Sequence, residues 1–600
     1  MKQRVADYIA DFFADNGISD VFTVTGGGAM HLNDAFGHNK RLHCTYNHHE
    51  QGCAIAAEAY ARYSRKLAAV CVTSGPGGIN AMNGVAGGWL DSIPMFIISG
   101  QVKFITTRAS TSVPVRQLGD QEYNIIDSIR PMTKFACMVT DANDIACLLE
   151  KALFIATHGR PGPVWLDVPL NIQGATIETE ALRHYTKDED KREIPPAFPA
   201  DRADEILARI AKAKRPVIFA GSAIRGSGAY ESFLRLIDKL NIPVVTAWNA
   251  HDVLWNEHRC YCGRPGTVGT RGGNFVAQYS DLLLILGCRL NIRQISYNWE
   301  NFAPLAYKIM VDIDPAELIK PTLSIDMPVY ADVKDVIESL EKKAEISQKH
   351  RKWLSWSRNI DRKYPACEQS YFAKDSPVNP YVFMDKLFHN LDEGDAVVCG
   401  NGSACVCSFQ AAYIKKDQRL FTNSGCASMG YGLPAALGVA VERKGPRVIC
   451  LEGDGSLMMN LQELQTVIYN KLNIKIFVLN NNGYHSIRQT QTNLFNPPMC
   501  GVSSDNGVSF PDLAKLASAF GFPYVKVDSV KNSVRQIRRA LAIEGPVIVE
   551  AVLDPEQFFS PKLSSKRLPD GTMVSPSLED MYPFLPDNEM KQIREEALSI

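Results

Sequence analysis

The 600-residue sequence predicts an α/β protein made of three doubly wound parallel-sheet domains. Three observations lead there. Short apolar, strand-like runs alternate with amphipathic helical patterns, the arrangement that folds as a parallel sheet covered on both faces. Two charged, strand-poor stretches, ATIETEALRHYTKDEDKREIPPAFPADR and EKKAEISQKHRKWLSWSRNIDRKYPACEQSYFAKDSPVNP, divide that alternation into blocks of similar size. A hydrophobic content of 46% with 22% charged residues is ordinary globular composition, enough for a large core in each block. The blocks lie near 1–180, 195–345 and 375–560, which leaves 561–600 as a C-terminal tail.

The first block opens on MKQRVADYIADFFADNGISDVF, an amphipathic helix running into a strand. It continues through DVFTVTGGG, LAAVCVTSGPG and MFIISGQ. The second block has strand-like RPVIFAGS, IPVVTAWN, DLLLILGCR and YKIMVDID, and the third has AVVCGNG, RVICLEGDG, IKIFVLNNN and PVIVEAV. Between RVICLEGDG and IKIFVLNNN, the segment LQELQTVIYNKL reads as a helix. A right-handed crossover then brings Asp454 and the asparagines to one sheet edge, where α/β proteins hold ligands. A carboxylate, an amide oxygen and a backbone carbonyl suit a hard cation such as Mg²⁺. Taken alone, an ordinary βαβ unit with polar turns explains the same residues.

A net charge of −1 provides no global basic field for nucleic acid or a membrane surface. The N-terminus lacks the uninterrupted apolar core of a signal peptide, and DLLLILG and PMFIISG are too short to span a bilayer. The expectation is a cytoplasmic protein acting on small molecules. Fifteen cysteines are scattered without metal-ligand spacing, the pairs CYC and CVC included, and are expected to be buried free thiols.

Five motifs, in order along the chain, carry a resemblance: HHEQGCAIAAEAYAR, TSGPGGINAMNGVAGGWLDSIPMFIISGQV, RPMTKF, NSGCASMGYGLPAALG, and GDG with its following helix and LNNN. Together they resemble the thiamin-diphosphate (ThDP) enzymes of the acetohydroxyacid synthase and pyruvate oxidase group. The resemblance implies a pyrimidine-binding first domain, a central domain and a diphosphate-binding third domain. Glu50 matches the glutamate that hydrogen-bonds the cofactor's aminopyrimidine and promotes loss of the thiazolium C2 proton. Its alternative is a helix N-terminal carboxylate stabilised by the dipole. Asp454, Asn481 and the Gly483 carbonyl match the Mg²⁺ ligands. Asn401, Gly402 and Ser403 match the diphosphate loop, with Gly453, Gly455 and Ser456 beside the metal. Met429 matches the apolar residue beneath the cofactor's bend, or is simple core, and the Ala427 carbonyl receives the 4′-amino group. Gly27, Gly28 and Gln121 are placed in the catalytic pocket. The resemblance also implies a homodimer or homotetramer whose sites are shared between subunits.

The sequence departs from the synthase pattern twice. The synthases bind FAD with Gly-x-Arg-Phe-Asp-Asp-Arg, whereas GCRLNIR keeps Arg289 and Arg293 and loses both aspartates. With Asp312 and Asp314 at a strand end, these arginines either meet a flavin diphosphate or form interdomain ion pairs. In the substrate region an aromatic becomes Asp120, and Gly-Met-Val-x-Gln-Trp-Gln becomes HSIRQTQ, with Thr490 for the tryptophan and polar His485 and Arg488 nearby. These polar residues either line the pocket or belong to a surface loop. Smaller, polar groups favour a hydroxylated acceptor, such as a nucleotide-linked keto sugar, over a simple 2-keto acid. The expected activity is therefore a carboligase that decarboxylates a 2-keto acid, pyruvate for preference, and passes its acyl unit to such an acceptor. The alternatives are an acetolactate synthase, a 2-keto-acid decarboxylase and a catalytically silent regulatory subunit.

Overall fold

The computed structural model describes residues 1–495, 498–567, 570–574 and 576–600. Its three principal sheets are parallel throughout. The first runs, in spatial order, His43–Tyr46, Asp20–Thr23, Ala69–Val72, Met95–Gln101, Pro163–Pro169 and Phe135–Met138. The second runs Val244–Thr246, Pro216–Ala220, Leu282–Leu286, Tyr307–Asp312 and Met327–Tyr330. The third runs Arg419–Phe421, Ala396–Cys399, Val448–Gly453, Ile474–Asn480, Val547–Val552 and Tyr524–Val527. Numbered in chain order within each sheet, the first and third share the order 2-1-3-4-6-5, and the second is 2-1-3-4-5. Each sheet therefore winds one way from its opening strand and then the other, which leaves a crevice at that strand's carboxyl end.

Central strands such as Leu282–Leu286 are apolar at every position because helices cover both faces. The covering helices are mostly one-sided: Tyr230–Leu240 buries Phe233, Leu236, Ile237 and Leu240 at helical spacing. Two helices break that rule. Glu50–Ser64 in the first domain and Gly432–Arg443 in the third are rich in alanine and glycine and buried over most of their length. Small side chains let them pack closely, and a Cβ on Gly438 would lie 2.0 Å from the Ala56 carbonyl oxygen. One apolar core consequently runs through both domains.

The last segment folds back over the middle domain. Asn274 Nδ2 donates to the Leu578 carbonyl at 2.9 Å, and helix Asp587–Leu598 adds Ile593 and Ala597 to the middle core. All fifteen cysteines are free, and most are buried. Among the described residues, no helix is long and apolar enough to cross a membrane.

Candidate active site

In the third domain the loops after the first four strands meet at the crevice between Ala396–Cys399 and Val448–Gly453. Asn481 Nδ2 donates to Ser403 Oγ at 3.2 Å, Gly483 N to Asp454 Oδ2 at 2.9 Å, and Gly430 N to Ser456 Oγ at 2.7 Å. Asn401 Nδ2 reaches the Ser428 carbonyl at 2.6 Å. Four loops are thus stitched into one cradle.

The cradle has the character of a cation site. Asp454 is 5% exposed, and burial pushes its carboxyl up to about 6 against the pull of the Gly483 and Gly455 N–H groups and Arg488. Asn481 is also buried, and its Oδ1 has no hydrogen-bond partner. A bare buried acceptor costs about 1–3 kcal/mol, which ligation by a hard cation would recover. Gly483 sits at φ +135°, and a Cβ there would lie 1.9 Å from the Val502 carbonyl oxygen. Only glycine fits, and its carbonyl accepts one bond, from His485 N at 3.0 Å, with a second lone pair left over. These donors suit Mg²⁺. Beside them Gly402 at φ +70° precedes helix Ser403–Ala411, whose N-terminal amides suit a diphosphate.

Ala427 adopts a left-handed backbone at φ +56°, uncommon for a residue with a side chain, and half-buried Met429 follows two residues later. Behind the cradle, Glu452 is completely buried and burial raises its carboxyl to about 7. It accepts from Gly432 N at 2.7 Å, and a Cβ on Gly400 would fall 1.9 Å from its Oε1. Sequence reasoning missed this residue, although a carboxylate directly before GDG was there to be noticed.

Glu50 begins its helix, half-buried, and Oε2 accepts from Asn80 Nδ2 at 3.0 Å. One turn further along the same neighbouring helix, Asn83 Oδ1 accepts from Ser428 Oγ at 2.6 Å. That helix therefore links Glu50 to the loop bearing Met429. A second link is Glu463, also missed from sequence. Its buried carboxylate accepts from Asn47 Nδ2 at 2.8 Å, His48 N at 3.2 Å and Thr466 Oγ1 at 2.8 Å. It thereby holds the turn that leads into Glu50.

Gly27 and Gly28 lie on the loop after Asp20–Thr23, at the sheet edge that also carries Glu50. Gly28 N donates to Thr73 Oγ1 at 3.0 Å, and a Cβ on Gly28 would meet Ser74 Oγ at 2.5 Å. Gln121 is left-handed at φ +62°, and its carbonyl oxygen lies 2.7 Å from the Cβ position of Gly75. Asp120 and Gln121 are exposed. On helix His485–Leu494, His485 is buried against the Phe558 and Phe559 rings, and burial pushes its imidazole down to about 4. Arg488 donates to the Asn481 and Asn482 carbonyls, and exposed Thr490 donates back to the Ser486 carbonyl at 3.0 Å. Within one chain, His485 and Arg488 lie on the helix that follows the Asn481–Gly483 turn, while Asp120 stays on a first-domain loop.

The middle sheet has its own crevice, between Gly221 and Gly287, opening into a cavity of about 420 Å³. Arg289 and Asp312 line it; Arg293 does not, and its guanidinium lies 4.8 Å above the Trp248 ring. Burial raises the Asp312 carboxyl to about 6. Arg160 from the first domain pairs with Asp314 and Glu317, each at 2.9 Å, so interdomain ion pairs do form here. The buried Asn291 Oδ1 and Trp248 Nε1, both on cavity-lining residues, lack hydrogen-bond partners. That polar lining fits a nucleotide cofactor.

Comparison with known proteins agrees with this layout. Residues 3–126 match the family model "Thiamine pyrophosphate enzyme, N-terminal TPP binding domain", 203–340 its "central domain" and 400–551 its "C-terminal TPP binding domain". The chain is 29% identical to acetolactate synthase isozyme 1 large subunit of Escherichia coli (strain K12), over 92% of this chain and 94% of that one. It is 30% identical to acetolactate synthase 1, chloroplastic, of Zea mays, over 94% and 87%. It is 31% identical to the acetolactate synthase large subunit of Buchnera aphidicola, over 89% and 92%. The chain belongs to the thiamine pyrophosphate enzymes, as an acetolactate-synthase-like, ThDP-dependent member.

Proposed function

We propose that this enzyme is a Mg²⁺-dependent carboligase that decarboxylates a 2-keto acid, pyruvate for preference, and adds the acyl unit to a carbonyl acceptor. The observation that carries the reading is the bare Asn481 Oδ1 beside the Asp454 carboxylate and the Gly483 carbonyl. Those three atoms would hold Mg²⁺, and Asn401, Gly402, Ser403, Gly455 and Ser456 the diphosphate. ThDP, when bound, supplies the electron sink for decarboxylation and carries the acyl unit. Glu50 would share a proton with the cofactor's pyrimidine, and Met429 and the Ala427 carbonyl would help to hold that part of the cofactor.

The acceptor in this reading is a hydroxylated carbonyl compound, a nucleotide-linked keto sugar included. Asp120 supports it in the site shared between subunits that this reading assumes: a carboxylate there would repel a second keto acid and accept hydrogen bonds from hydroxyl groups. Arg488 keeps its positive charge, but its fork is turned to the Asn481 and Asn482 carbonyls of the third domain. Acetolactate synthesis is the second reading, favoured by the relatives named above. Mass analysis of products from pyruvate alone and with sugar acceptors separates them. Efficient acetolactate formation that no sugar acceptor alters would overturn the first reading.

Two further parts belong to the proposal. The middle cavity would hold FAD in a structural role, with Arg289 available to its diphosphate; purified protein is then yellow and releases flavin on denaturation. A colourless protein that takes up no added FAD would refute this. The active form is a homodimer or homotetramer, because Ile79, Met458, Met459 and Ile487, each 41–49% exposed, sit on the motif segments themselves. Sedimentation showing an active monomer would exclude it.

A further inference from the structure

We infer that Arg488 is a positioning residue that clamps the metal-binding turn, and that it does not contact the acceptor. The inference rests on the proposed Mg²⁺ site and concerns a residue on which the synthase pattern is silent, since Arg488 falls at its open position in HSIRQTQ.

The turn from Asn481 to Tyr484 has unusual backbone geometry, with Asn482 at φ +55° and Gly483 at φ +135°. Such a turn persists only where its surroundings enforce it. Val502 does so from one side: its carbonyl accepts from Tyr484 N at 2.9 Å and occupies the space that a Cβ on Gly483 would need. Arg488 holds the other side. Its side chain folds back over the start of its own helix, where Nη1 donates to the Asn481 carbonyl at 3.1 Å and Nη2 to the Asn482 carbonyl at 2.7 Å. Nη2 also lies 3.3 Å from the Cβ position of Gly483.

A cation at a helix N-terminus is unfavourable for the helix dipole. Nearby Asp454 and Asp505 supply countercharge. Two charge-assisted bonds from one planar fork fix two successive peptide planes together, which a lysine ammonium cannot match. Fixing those planes leaves Asn481 Oδ1 and the Gly483 carbonyl oriented for the same ion. Arg488 therefore organises the metal ligands from outside the ligand set.

Arg488→Met keeps length and removes the fork; Arg488→Lys restores one donor group. In metal-free protein, backbone hydrogen exchange at Asn482–Tyr484 should speed up at least about tenfold in the Met variant, with overall unfolding unchanged. Titrating Mg²⁺ into protein with saturating ThDP, followed by calorimetry, should show apparent Mg²⁺ affinity weakened about 10- to 100-fold, the range expected for a charged hydrogen bond. Lys should fall in between. At saturating Mg²⁺ the acceptor KM should match wild type, which a residue that contacts the acceptor would not allow. Unchanged exchange, unchanged Mg²⁺ affinity, or a raised acceptor KM at saturating Mg²⁺ would each overturn the clamp. Asp454→Ala separates the two readings: if it keeps Mg²⁺-dependent ThDP binding the metal site is wrong, while the exchange comparison still judges Arg488.

Discussion

Replacing Gly52 with alanine tests how the first and third domains pack against each other within one chain. An alanine Cβ would lie 2.6 Å from Glu463 Oε1 and 2.9 Å from its Cδ, closer than real contacts allow. A free glutamate would swing aside. This one is completely buried and bonded to Asn47, His48 and Thr466, so retreat means giving up at least the His48 N–H bond. Losing a hydrogen bond to a charged group costs about 1.5–3 kcal/mol, and crowding a packed site about 1–3 kcal/mol. Alanine returns about 1 kcal/mol through helix propensity. The net destabilisation should be about 1.5–5 kcal/mol.

The clean assay is a double-mutant cycle on urea unfolding, with Gly52→Ala and Glu463→Ala singly and together. Without the Glu463 side chain there is nothing for the new methyl to strike, so Gly52→Ala should become neutral or stabilising there. Coupling of about 2 kcal/mol or more is expected. If Gly52→Ala costs the same in both backgrounds within about 0.5 kcal/mol, the contact is not what the glycine serves. Catalysis should respond as well, because Glu50 opens the same helix two residues earlier. A misplacement of about 1 Å is worth about a hundredfold in rate, and ThDP affinity should hold while turnover drops.

Glu50→Gln should retain ThDP yet slow its C2 proton exchange by about 10²–10⁴-fold, the usual worth of general acid–base help, as read by quenched NMR; exchange at the wild-type rate removes Glu50 from that role. Asp167 is completely buried between Ser99 and Gln101, and burial raises its carboxyl to about 7. The folded state then holds a proton that the unfolded chain releases near its ordinary value of about 3.9, so this group's contribution to stability falls as pH rises from about 4 to 7 and is level above. Denaturant midpoints of wild type relative to Asp167→Asn should decline across that window, and a flat difference refutes the shift. Thr490→Trp should move acceptor choice towards a second 2-keto acid, raising acetolactate relative to sugar-derived product in competition assays; an unchanged ratio would make that departure incidental.

The cradle was readable because its chemistry sits where strands end. GDG and NNN each close an apolar run, and parallel topology alone brings two such ends together, as Asp454 and Gly483 show. Short edge strands were not readable in that way. Arg419–Phe421, Met327–Tyr330 and Tyr524–Val527 are three or four residues long, and the last two alternate buried with more exposed positions, so no apolar run announces them. The shared 2-1-3-4-6-5 order was equally hidden, because it is a property of strand pairing and leaves no short-period repeat. Least legible were residues whose partners lie far away in the chain. Glu463 meets Asn47 across 416 positions, and no local pattern encodes such a contact. The glycines mark it only indirectly. Gly52 and Gly400 each occupy the space beside a buried carboxylate, Glu463 and Glu452 respectively. In each motif the small residue is visible in the sequence, whereas the charged group for which it makes room comes from another element, helix Glu463–Tyr469 or strand Val448–Gly453, and appears only once the domains are assembled.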